Sequence, residues 1–202
     1  MAPRTNDTSS ARASHRAGGR RQGTPPPPLD RATLDALALA YVARFATSSG
    51  RLADYLRRKL RERGWSEETP PDIGAIVARM AERRYVDDAA YAAAKGDGLR
   101  RRGYGARRIE ETLSHDGIAE PLRKNARGSE AERRRAVLAF ARRKRFWPYS
   151  AERCLDPAMR RKHLAAYLRA GHGLDHVRRV MEARDLSELE EWADENAEDV
   201  LE

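Results

Sequence analysis

The chain of 202 residues has one cysteine, Cys154, so no intrachain disulfide can form. A secreted scaffold held by bridges is therefore disfavoured, and a cytoplasmic location is expected. Aromatic residues make up only 6% of the chain against 40% hydrophobic residues overall, so any core is aliphatic and alanine-rich, which suits small helical units. No run approaches the ~20 apolar residues that a membrane span requires. The N-terminal "MAPRTNDTSSARASHRAGGRRQGTPPPPLD" has basic residues but no apolar segment after them, so export and membrane insertion are disfavoured. Alternating runs of Val, Ile, Thr or aromatic residues long enough for a strand are also missing, and the folded part is expected to be all-α.

Basic charge is what the chain has in abundance. Forty Lys and Arg face 31 Asp and Glu, for a net charge of +9. Residues 185–202, "DLSELEEWADENAEDVLE", hold nine of the acids and no base, which leaves 40 bases against 22 acids, +18, on residues 1–184. Such a polycation attracts phosphate backbones or acidic protein surfaces. Within the acidic end, Leu186, Leu189 and Trp192 are spaced for a weak amphipathic helix, expected either to solubilise the chain or to fold back on arginine clusters as a phosphate mimic.

Residues 1–29 offer almost nothing to bury, and Pro25 to Pro28 favour a stiff extended spacer, so a disordered basic arm is expected there. Beyond it, apolar residues recur at helical spacing: Leu52, Leu56 and Leu60; Ile73, Ile76, Val77 and Met80; Ile109 and Leu113; Val177, Val180 and Met181. A longer repeat underlies these stripes. Leu56, Leu60 and Gly64 match Ile109, Leu113 and Gly117, and then His163, Tyr167 and Gly171, each set spaced by four. Glycine after the last apolar position stops a helix. The repeat predicts an elongated array of three tandem three-helix repeats over 30–84, 85–128 and 129–184, followed by an acidic tail at 185–202.

No constellation suggests catalysis or a bound cofactor. Asp87 and Asp88 precede a helical stretch and are read as caps rather than metal ligands, because no further acid or histidine lies at a supporting spacing. Gly103 and Gly105 in "RRGYGARRIEE" break the chain between two helices without forming a nucleotide loop. His172 and His176 are four apart, but Gly173 interrupts the turn. Cys154 lacks a recognisable base and orienting group.

What remains is arginine and lysine in clusters: Arg57, Arg58 and Lys59; Arg100, Arg101 and Arg102 with Arg107 and Arg108; Arg142, Arg143, Lys144 and Arg145. The guanidinium fork bonds two oxygens of a phosphate or carboxylate at once. The arginine triplets lack obvious acidic partners nearby in sequence, which favours a binding surface over a solvated face. A general nucleic-acid-binding module working through phosphate contacts fits the same clusters, and a metal-dependent nuclease built on Asp87 and Asp88 is the enzymatic alternative.

The stretch "YVDDAAYAAAKGDGLRRRGYGARRIEETLSHDGI" resembles the signature of the RecX family of bacterial recombination regulators. The elements are Val86-Asp87-Asp88, Tyr91-Ala92, Arg100 to Arg102, Gly103-Tyr104-Gly105, Arg108-Ile109 and Leu113 to Ile118, in that order. The resemblance extends over roughly residues 33–183 and leaves out both ends. It implies three tandem three-helix repeats and a regulator that lodges in the groove of a RecA-type recombinase filament on DNA, usually limiting filament growth, ATPase or strand exchange; separately, the chain is expected to be a monomer. The resemblance implies no catalysis by this chain, and the residues themselves lead to the expectation of no cofactor and no metal.

Overall fold

In a computed structural model, which describes residues 26–151 and 156–195, ten α-helices are present among the described residues and the only β-type contact is an isolated bridge between Leu29 and Trp65. They are α1 (Arg31–Arg44), α2 (Ser49–Arg63), α3 (Ile73–Glu82), α4 (Asp88–Arg101), α5 (Ala106–His115), α6 (Glu120–Asn125), α7 (Glu130–Lys144), α8 (Pro157–Arg169), α9 (Leu174–Glu182) and α10 (Leu186–Asp194). Most begin at a residue whose side chain satisfies a free amide of the first turn. Asp30, Ser48, Asp72, Asp87, Asp156 and Asp185 do so singly, and Ser129 and Glu132 form a reciprocal capping box at α7.

Three apolar clusters form, each from consecutive helices. Leu34, Leu52, Leu56, Ile76 and Met80 join α1 to α3. Leu99, Ile109, Leu113 and Ile118 join α4 to α6. Val137, Phe140, Tyr167, Val177 and Val180 join α7 to α9. The expected stripes face these clusters: Leu52, Leu56, Ile109, Leu113, Val177 and Val180 are buried, while Leu60, Ile73, Val77 and Met181 pack at the margins.

Two boundaries differ from expectation. Leu29, the last residue of the supposed arm, is fully buried, because its amide donates to the carbonyl of Gly64 and its carbonyl accepts from Ser66 N–H, drawing the side chain under α1 and α2. The acidic end is also no bare tail. Helix α10 packs on α7 with Leu189 and Trp192 buried, making a fourth helix of the last cluster. Its fold-back lands on Arg134 and Arg135, outside the clusters singled out in the sequence: Arg134 lies over the Trp192 ring and donates to the Trp192 carbonyl, and Arg135 pairs with Asp194. Residues 1–25 of the arm, residues 196–202 of the tail and Cys154 lie outside the described residues.

The second helices of the three groups meet end to end. The amides of Gly105 and Arg107, at the start of α5, donate to the carbonyls of Ala170 and Gly171 at the end of α8 (2.9 and 3.2 Å). At its other end, α5 presents the Asp116 carbonyl to the Ser48 hydroxyl that caps α2 (2.5 Å). Each contact sets a helix C-terminus against a helix N-terminus, so the dipoles run in series. Together α8, α5 and α2 supply about 57 Å of helix along their axes.

Candidate binding surface

The central turn carries the joint between the second and third groups. Gly103 has φ of +76°, a left-handed conformation that side chains resist, and a β-carbon there would lie 2.8 Å from the Cα of Phe140. At Gly105 the φ is an ordinary −81°, but a β-carbon would fall on the carbonyl of Gly171. One glycine is thus required by conformation and contact, the other by contact alone. Into the same joint projects His172, whose Nε2–H donates to the Gly103 carbonyl at 3.0 Å. Burial lowers its pKa from 6.5 to about 4.

The aspartates divide the capping between two helices. Asp87 accepts from Ala90 N–H and caps α4, whereas Asp88 accepts from Ser49 N–H and closes the first turn of α2 in the neighbouring group. His172 and His176 do not converge, since His176 pairs with Glu130 at 2.6 Å. Burial alone would raise the Glu130 pKa, but hydrogen bonds from Arg133 and His176 outweigh it and hold it at about 2. Among the described residues no three His, Cys, Asp or Glu side chains are grouped to hold a metal ion.

The basic residues fall into three places. Arg102 and Arg143 are brought together: the Arg143 guanidinium donates to the Arg102 carbonyl and lies over the Tyr104 ring. Arg101, Arg142, Lys144 and Arg145 are exposed on the same two helix ends. Arg107 and Arg108 stand at the start of α5, both within reach of Glu111. Arg57, Arg58 and Lys59 lie on α2, in another group, and pair with Asp54 and Glu62.

Two sequence readings therefore change. Helical turns do supply acids to Arg57, Arg58 and Lys59, because Asp54 and Glu62 sit three or four residues away on the same face, and the acids expected in the Glu110–Glu111 turn reach Arg107 and Arg108 through Glu111. Such exposed pairs are weak and exchange readily for another anion. Arg100 is different. Its side chain is only 11% exposed, paired with Asp97 and Glu132, and donates to the Ala126 carbonyl at 2.5 Å, tying α4 to α6 and α7. It belongs to the scaffold.

Sequence reasoning missed Asp116. This buried C-cap carboxylate receives the Tyr91 hydroxyl at 2.8 Å, Arg51 at 3.3 Å and Lys95 at 3.9 Å. Burial, and then the bond to Asp116, raises the Tyr91 pKa. The available signal was an aspartate at a helix C-terminus, where the dipole disfavours negative charge unless cations compensate.

Fold and surface together define an all-α scaffold of serial helical groups that presents exposed cations. Regulatory protein RecX of Myxococcus xanthus (strain DK1622) is 29% identical over 161 residues, spanning 74% of this chain and 84% of that protein. Regulatory protein RecX of Pseudomonas putida (strain GB-1) is 30% identical over 134 residues, spanning 66% and 81%. A crystal structure of regulatory protein RecX superposes with a TM-score of 0.57 at 19% identity, covering 75% of this chain and 70% of that one. No family model matches. The chain belongs to the RecX family of regulatory proteins.

Proposed function

We propose that this chain regulates homologous recombination and DNA repair by lodging in the groove of a RecA-type filament on DNA and restraining its assembly, ATPase and strand exchange. The observation that carries the reading is the end-to-end joining of α8, α5 and α2, which holds the three helical groups, and the exposed cations that each group carries, in one fixed series. A helical groove lined by phosphate and acidic side chains is a matching surface for such a support. Contact would be made by Arg101, Arg102, Arg107, Arg108, Arg142, Arg143, Lys144 and Arg145, with Arg57, Arg58 and Lys59 at the far group. The proposed partner is cytoplasmic, and the chain would act there as a monomer without a cofactor.

The test is the single-stranded-DNA-dependent ATPase of a RecA-type recombinase with this protein added below stoichiometry. A decrease that requires the exposed arginines supports the reading. An ATPase that does not respond at any ratio overturns it.

A further inference from the structure

Where the first helical group meets the second, α1, α2 and α4 enclose an open groove of about 740 Å³. Its wall holds Tyr41, Phe45, Tyr85 and Tyr91. Tyr41 stacks on Tyr55 with centroids 4.2 Å apart and planes 17° apart, and Phe45 continues the series 5.2 Å from Tyr41. Five of the chain's 13 Tyr, Phe and Trp residues are gathered here. Phe45 and Tyr85 are 53% and 52% exposed, so these rings serve no core of this chain. Large rings left in water within a concavity mark a surface that something else covers.

The electrostatics indicate what covers it. Arg51, Arg84 and Lys95 line the groove, and it runs past Tyr41 and Arg51 into a second lobe that adds Arg58 and Arg61. The nearby acids are engaged: Asp54 with Arg57, Asp87 with the α4 amide, and Asp116 with Tyr91, Arg51 and Lys95. Arg61 and Arg84 have no acidic partner within ion-pair distance among the described residues. Arg84 also has φ of +59°, a left-handed conformation that a side chain resists and glycine does not. Glycine holds the corresponding helix-ending position at Gly103, Gly117 and Gly171.

We propose that this groove binds single-stranded DNA, with bases stacked on Phe45 and Tyr85 and phosphates met by Arg84 in one lobe and Arg61 in the other. Exposed ring faces flanked by uncompensated cations suit a single strand, whose bases are free to stack, and not a duplex, whose bases already stack on each other. An acidic protein segment would satisfy the cations but leave the rings unused. The choice of DNA rests on the recombination reading above, in which single-stranded DNA lies beside the protein.

The experiment is fluorescence anisotropy of a labelled oligothymidylate with the full chain and no recombinase, comparing wild type with F45A/Y85A, F45W/Y85W and R84A. Removing both rings should weaken binding about tenfold or more, since a base stack contributes roughly 1–3 kcal/mol. Tryptophan at both positions should restore it, and loss of Arg84 should weaken binding and flatten its salt dependence. Both positions are exposed, and unchanged melting of F45A/Y85A excludes misfolding as the cause. Unaltered affinity in F45A/Y85A overturns the proposal, as does an equal loss on duplex, which would mean phosphate contact alone, or tighter binding to oligouridylate. The regulator reading fails separately. A wild type that binds the strand but leaves the recombinase ATPase untouched sinks that reading and not the groove.

Discussion

Gly50 and Gly117 lie backbone to backbone, so that a β-carbon on Gly50 would sit 2.6 Å from the Cα of Gly117. This contact closes the joint at which α5 ends and α2 begins. Gly117 additionally has φ of +75°. Alanine at Gly117 should therefore destabilise the chain by about 2 kcal/mol or more, a fall of about 4–8 °C in melting temperature. Gly50→Ala isolates the steric part, because Gly50 is helical and its new β-carbon would meet the Gly117 backbone, whereas Gly98→Ala, also helical, would meet nothing and should not destabilise. Equal melting of these last two variants would remove the argument for a steric joint.

Arg100 and Arg101 are neighbours with opposite expected behaviour. Arg100→Ala leaves Asp97, Glu132 and the Ala126 carbonyl without their shared donor, at a cost of about 2–3 kcal/mol. Arg101→Ala, at an exposed position, should alter stability by no more than about 0.5 kcal/mol. Chemical denaturation of the two single variants reads the difference directly. A binding defect should follow from Arg101, not from Arg100 once its folding loss is allowed for.

Helix α10 should behave as core. Trp192→Ala removes a buried ring on which Arg134 rests and should destabilise by about 3 kcal/mol or more. Exchange of Asp194 for Asn breaks only an exposed pair with Arg135 and should change stability by less than about 1 kcal/mol. Two equally mild effects in urea unfolding would mean that α10 is dispensable to the fold.

Acid should weaken the joint at His172. The folded side chain stays neutral down to about pH 4, whereas the unfolded one takes up a proton near 6.5. Stability present above pH 6.5 is therefore lost as pH falls through that window, by about 2 kcal/mol between pH 7 and pH 5. His172→Gln should remove this portion of the pH dependence. A variant whose unfolding free energy retains the full wild-type difference between pH 7 and pH 5 would show that His172 is not its source.

Most helices were legible because their causes are local. The spacing of Leu52 with Leu56, of Ile76 with Met80 and of Ile109 with Leu113 defines a buried face within one or two turns, and Asp87 needs only the amide of Ala90 to cap α4. Glycine at Gly117 and Gly171 announces a helix end for the same reason: the conformation belongs to the residue itself. What each charged or aromatic side chain does was decided by partners distant along the chain. Arg100 becomes structural because Glu132 from α7 and the Ala126 carbonyl reach it, and Asp116 is tolerable at a helix C-terminus because Arg51 from α2 and Lys95 from α4 compensate it. Phe45 and Tyr85, far apart along the chain, come to line one groove only in the folded molecule. Hydrophobic periodicity fixes which face of a helix turns inward, but burial, pairing and the pKa of a polar group depend on the atoms that close over it, and those are placed by the tertiary fold.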